Sequence, residues 1–220
     1  MVRSNNGKGK IMDAKVRQQE HFRDFPTTPK ATQEYYDQHW GPDKLYDKDM
    51  ADWQYSTPEE GAALLSEFVT DKSAPILDAG CGTGLVGTAL KKLGYTNIVG
   101  ADFSKSMLDG CPEDTYKELK FCDLNKDLPF HPGCFAAVIS IGTFTFGHLE
   151  LDTLNRFCAV AKHGAPVIGT CNVLQWKEIP IQKKLFDLDS SGVWDLRKLQ
   201  KSKYLPGIDL EAWMWVGLVK

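Results

Sequence analysis

The sequence predicts an α/β protein built on an open, largely parallel sheet. Three observations carry this expectation. From residue 74 onward, short apolar runs alternate with amphipathic segments. The first run ends in a glycine-rich turn, Gly80-Cys81-Gly82-Thr83-Gly84, with a helical pattern directly after it. Asp78, Asp102 and Asp123 stand at or near the ends of three successive runs. The 220 residues suit one domain, and 42% hydrophobic with 25% charged residues is ordinary globular usage.

Residues 1–30 hold seven Lys/Arg against three Asp/Glu, +4 in a chain whose net charge is −3, and apolar periodicity there is weak. This segment reads as a flexible basic arm. Residues 31–220 read as one domain that opens with a helical cap at about 31–55, dense in Tyr35, Tyr36, Trp40, Tyr46, Trp53 and Tyr55. Tyr36 and Trp40 are four apart and would share a helix face. Thr57-Pro58-Glu59-Glu60 predicts a helix start, with Thr57 as cap and Glu60 closing a capping box.

Residues 74–79 form the first expected strand, short and apolar as a buried parallel strand is. A helix follows over 85–93 and stops at Gly94. The second strand is 97–101, ending at Asp102, and Ser104 is placed to cap a helix over 105–109. Strands are expected at 116–122 and 135–141. Leu151, Leu154, Phe157, Cys158 and Ala161 follow at helical spacing, with Gly164 as the stop. A fifth strand, 165–171, and a helix near 176–187 lead to two antiparallel strands, 194–204 and 210–219, joined through Leu205-Pro206-Gly207.

The charge balance disfavours a general nucleic-acid coater and gives no strong nucleic-acid signal. No apolar run approaches the ~20 residues of a membrane span. Six cysteines without a C-x-x-C spacing suggest reduced thiols in the cytoplasm. The five histidines and the acids show no local metal spacing, so no metal site is expected. The aromatic content suits a small-molecule acceptor; oligomeric state is not legible.

In an open α/β sheet, ligands bind beyond the carboxyl ends of the strands. The glycine turn lets a ligand approach without a Cβ in the way, and the following helix offers free N–H groups. A carboxylate at Asp102 can accept from both hydroxyls of a ribose. Asp123 can accept from an adenine amine. Asp78, before the glycines, can anchor the loop and help hold an ammonium group. A dinucleotide site competes with this reading, because Gly82-Thr83-Gly84-Leu85-Val86-Gly87 matches G-x-G-x-x-G and Asp102 lies twenty residues past Gly82.

Asp-Ala-Gly-Cys-Gly-Thr-Gly at 78–84, followed by Asp102 and Asp123, resembles motifs I to III of the class I S-adenosylmethionine-dependent methyltransferases, over about residues 35–219. A narrower likeness within that family is carried by Tyr36-Asp37, Trp40, Tyr46-Asp47, Gly142-Thr143-Phe144 and the Trp194…Leu205-Pro206-Gly207 ending. The resemblance implies a Rossmann-like, open twisted seven-stranded sheet of order 3-2-1-4-5-7-6, last strand antiparallel, with helices on both faces. It implies S-adenosylmethionine as cofactor and S-adenosylhomocysteine as product. By position, Gly80, Cys81 and Gly82 would lie against the methionine part, Asp102 would hold the ribose, and Phe103 and Met107 would face the adenine. Asp123 and Leu124 would take the adenine edge. Ile141 and Gly142 would border methionine and acceptor, while Trp40 and Tyr46 would cover the cofactor carboxylate. His148, just beyond the fourth strand, is the candidate catalytic base for an acceptor that must lose a proton. A cofactor-binding partner protein without catalysis remains the alternative from another class.

Overall fold

The computed structural model describes residues 26–40, 45–145 and 147–220. Its centre is a seven-stranded sheet of order β3-β2-β1-β4-β5-β7-β6. The strands are β1 Ile76–Ala79, β2 Ile98–Asp102, β3 Glu118–Phe121, β4 Ala137–Ser140, β5 Pro166–Asn172, β6 Trp194–Leu205 and β7 Leu210–Val219. β3, β2, β1, β4 and β5 run parallel, and β7 is antiparallel to both β5 and β6. The expected order and the closing antiparallel pair are therefore both present.

Alternation along the inner strands divides the core in two. Val138, Val167 and Trp215 point to one face, where Leu154, Phe157, Ile181 and Leu185 cover them. Ile139, Ile168, Met214 and Val216 point to the other, under Leu64, Leu65, Val86 and Leu90. Strands buried on both faces read as continuous apolar runs for this reason. The first layer is α6 Thr153–Val160 and α8 Ile181–Ser190. The second is α3 Thr57–Ser66 and α4 Leu85–Lys92. Three further helices are α1 Pro29–Tyr35, α2 Leu45–Asp52 and α5 Lys105–Asp109.

Several local expectations shift. The N-cap position of α3 is Ser56, whose Oγ donates to Glu60 at 2.7 Å. Thr57 does not cap, because its hydroxyl is turned to Ser202 of β6 at 3.5 Å. α6 ends at Ala161, which is already extended, three residues before Gly164. That early exit lets Lys162 N–H bond Phe135 carbonyl beside the sheet. The helix expected near 176–187 is two, α7 Val173–Glu178 and α8. Pro180 lies between them, where it cannot donate the N–H that a continuous helix needs. Asn172 caps α7, accepting from the N–H groups of Leu174 and Gln175.

The cap is irregular. After α1, Tyr36–Trp40 forms a π-helical turn, so Tyr36 and Trp40 do not share an α-helical face. The side chain of Trp40 and most of the expected basic arm lie outside the described residues; Thr28–Lys30, its last three, already cap and open α1. Among the described residues no helix is long and apolar enough to cross a membrane.

Candidate active site

The carboxyl ends of β1, β2, β3 and β4 open into one pocket roofed by the cap. Its lining includes Gly80, Gly82, Asp102, Phe103, Met107, Asp123, Leu124, Ile141 and Gly142 from the sheet side, with Tyr46 and His148 above. Eleven of the residues expected from sequence are thus brought together. Tyr36, Asn125, Thr143 and Leu149 also line it and were missed. Asn125 and Leu149 sit in no motif. Tyr36 stood at helical spacing from Trp40 and in the Tyr36-Asp37 likeness, and neither signal placed it in the pocket.

The glycine loop holds its shape through backbone and carboxylate. Gly80, Gly82 and Gly84 all have positive φ. A Cβ at Gly80 would sit 2.3 Å from Thr143 Cγ2, so this position is closed to side chains. Asp102 Oδ2 accepts from Gly82 N–H and Oδ1 from Ser104 N–H, both at 2.9 Å. Each oxygen keeps a further lone pair for a ligand hydroxyl. Burial raises the Asp102 pKa, while those N–H groups pull it back. Asp123 accepts from Asn125 N–H at 3.0 Å and lies 3.5 Å from Lys126.

Asp78 and Cys81 are not in the lining. Asp78 lies behind the loop, where its Oδ2 accepts from Tyr116 Oη at 2.6 Å. Its Oδ1 is buried without a hydrogen-bond partner. Burial pushes its pKa up to about 7, with the Asp102 charge adding and the Tyr116 hydroxyl opposing. The Cys81 side chain is buried near Gly100, whose Cβ would meet Sγ at 3.0 Å, so only its backbone is left for a ligand.

After β4, Ser140 Oγ donates to Ala79 carbonyl at 2.7 Å and pairs with Thr143 Oγ1 at 2.6 Å, tying the ends of β1 and β4 together. Gly142 N–H donates to Thr170 Oγ1 at 2.8 Å. The cap is latched to this floor by polar contacts. Gln33 Nε2 donates to Phe103 carbonyl at 2.8 Å. Ser104 and Ser106 hydroxyls donate to Asp37 Oδ1 at 2.6 and 2.7 Å, and Thr83 Oγ1 donates to Asp47. Tyr36 Oη and His148 Nε2 are hydrogen-bonded at 2.9 Å.

The fit to a nucleoside carrying an amino-acid tail is tested by two features. The buried, unpartnered Oδ1 of Asp78 has a use for a cation, and the cradle at Gly80 is one that a Cβ would fill.

Residues 76–164 match a family model described as a methyltransferase domain. Human Methyltransferase-like protein 27 is 32% identical over 169 residues, 73% of this chain and 67% of that protein. The chain belongs to the S-adenosylmethionine-dependent methyltransferases. The human protein also bears out the narrower likeness, which is to the Williams–Beuren-region methyltransferase-like protein. The fold agrees: magnesium protoporphyrin IX methyltransferase of Synechocystis PCC 6803, solved with bound cofactor, superposes with TM-score 0.65 at 13% identity, covering 87% of this chain and 97% of that one. The chain is thus a class I, Rossmann-like methyltransferase using S-adenosylmethionine, and the dinucleotide reading falls.

One expectation is overturned. The 18S rRNA (guanine-N(7))-methyltransferase of Bos taurus is 36% identical over 108 residues, 49% of this chain but 38% of that protein. Similarity to RNA methyltransferases conflicts with the absence of a nucleic-acid signal and with a small-molecule acceptor. The net charge of −3 misled because it averages the whole surface. A base read in a pocket needs few phosphate contacts, and only local charge decides those.

Proposed function

We propose that this methyltransferase acts on an RNA acceptor, a flat heterocycle held between the cap and the loop after β4. The observation that carries the reading is the pocket itself, where Tyr36, Tyr46 and His148 face the glycine loop across one space. Aromatic faces stack a base with little regard to sequence, and the similarity to rRNA methyltransferases supports the same acceptor class.

In this reading the chain from α1 onward acts as one catalytic domain, with the residues up to 55 as its cap. S-adenosylmethionine, when bound, supplies an electrophilic methyl group on a sulfonium. Asp102 holds the ribose, Asp123 and Leu124 the adenine edge, and Phe103 and Met107 its face. Gly80, Gly82 and the Cys81 backbone approach the methionine part, with Asp78 compensating its ammonium from behind the loop. Ile141 and Gly142 border the acceptor; Tyr46 excludes water from above. Alignment and desolvation are the main work left to the protein, and proximity contributes roughly 7–11 kcal/mol. His148 is the base where the acceptor must lose a proton; a ring nitrogen with a free lone pair needs none. The compartment is one that holds RNA, the cytoplasm included.

The test is transfer from methyl-labelled S-adenosylmethionine into total cellular RNA, beside nuclease-treated RNA and a small-molecule extract. Label in methylated nucleosides, lost in Asp102→Ala, is the expected result. Label confined to the extract or to protein would overturn the reading.

A further inference from the structure

The contact between Tyr36 and His148 spans 112 residues and has no counterpart in any motif. Tyr36 Oη lies 2.9 Å from His148 Nε2. The two rings meet edge to face, 5.5 Å between centroids at 83°. Both partners are held from behind. On one side, Asp37 next to Tyr36 accepts from Ser104 and Ser106, and Gln33 bonds the Phe103 carbonyl. On the other, Asn125 Nδ2 donates to the His148 carbonyl at 2.8 Å. Asn125 Oδ1 accepts from Glu150 N–H at 2.8 Å and Thr153 Oγ1 at 2.9 Å, fixing the segment that follows. Two anchored frames therefore bring phenol and imidazole together over the pocket.

We propose that Tyr36 is a positioning residue for methyl transfer. Its hydroxyl donates to Nε2 of neutral His148, so the imidazole carries its proton on Nδ1 and is held in one orientation beside the acceptor. The direction follows from the chemistry of the two groups. Burial keeps the Tyr36 phenol well above its usual pKa, so it retains its proton. A phenol O–H is a stronger donor than a neutral imidazole N–H, and an imidazole nitrogen accepts better than a phenol oxygen.

The inference rests on the reading that the acceptor lies against His148, and it refines what His148 does. With Nε2 engaged, His148 orients rather than abstracts. This suits a ring-nitrogen acceptor: its lone pair forms the new N–C bond while the S–C bond breaks, the pair of that bond stays on sulfur, and the positive charge passes to the ring. No proton has to leave during transfer.

The experiment uses the full chain with 15N-labelled histidine, without ligand and with S-adenosylhomocysteine. His148→Asn assigns the ring signals. In the wild type, Nδ1 should carry the protonated-type signal and Nε2 the unprotonated one. Tyr36→Phe should return His148 to the Nε2–H tautomer, the form usual in free histidine. The same variant should bind S-adenosylhomocysteine within about twofold of wild type and lose about tenfold or more in kcat on RNA, with KM changing less. A wild-type Nε2–H signal would overturn the proposal without any variant being needed. A Tyr36→Phe enzyme with unchanged kcat would also overturn it. Failure of the wild type to label RNA would overturn the acceptor reading alone, because the ring signal is read without an acceptor.

Discussion

Asp78→Asn should stabilise the cofactor-free protein above neutral pH and weaken its grip on the cofactor. Asp78 is fully buried, and one carboxylate oxygen has no hydrogen-bond partner. Its pKa rises from 3.8 to about 7, first through burial. A carboxyl raised on folding adds stability that is complete below the unfolded pKa and is lost as pH climbs through the folded one. Between pH 4 and 7 the folded chain holds the extra proton, and each pH unit removes about 1.4 kcal/mol. From pH 5 to pH 8 the loss is about 3 kcal/mol, or about 6–12 °C in Tm for a chain of this size. Asp71 and Asp152 are held down by Ser73 and Lys184, so their contributions change below the usual carboxylate range and leave this window alone. Asp102 adds in the same sense as Asp78. The assay is urea unfolding at pH 5, 6, 7 and 8, for wild type and Asp78→Asn, with and without S-adenosylhomocysteine. Wild type should weaken steadily as pH rises, whereas the variant should be flatter and more stable at pH 8. Calorimetry at pH 8 should show weaker cofactor binding by the variant. Equal pH slopes for the two proteins would refute the linkage, and unchanged affinity would refute a role for Asp78 toward the ammonium.

Two further outcomes follow from the glycine cradle and the cap. Gly80→Ala combines a φ of +79° with a Cβ 2.3 Å from Thr143. It should cost about 1–2 kcal/mol in the backbone alone and abolish measurable cofactor binding by calorimetry. Gly164→Ala, at φ +77° with nothing within 4 Å, should lose only the backbone contribution and bind normally. Asp37→Ala removes the acceptor of two serine hydroxyls. At about 1.5–3 kcal/mol for a charged hydrogen bond, hydrogen exchange across α1 and α2 should quicken markedly while β1, β2 and β4 stay protected.

Much of the fold was legible because its signals are local. The apolar runs at β1, β2, β4 and β5 sit between turn residues, and each lies buried on both faces. Ser104 capped its helix as its position next to an apolar turn suggested. The misplaced features are those where a distant partner won. The Thr57 hydroxyl pairs with Ser202, 145 residues away, and the N-cap position falls to Ser56, whose side chain bonds Glu60 instead of a backbone N–H. The break between α7 and α8 could have been read from Pro180, whose effect on a helix is local.

The chain's own order of residues determined the sheet, the glycine loop and the strand-end acids. Each depends on contacts within a few residues or on a periodicity that repeats along one element. Tertiary structure alone decided which side chains share the pocket. It turned Cys81 inward beside Gly100, left Asp78 with an unpartnered oxygen, and brought Tyr36 onto His148. These outcomes depend on how two separately formed elements pack, and packing distances of a few ångströms leave no periodic trace in sequence. Acceptor chemistry belongs with them, because it is set by the space between the cap and the β4 loop.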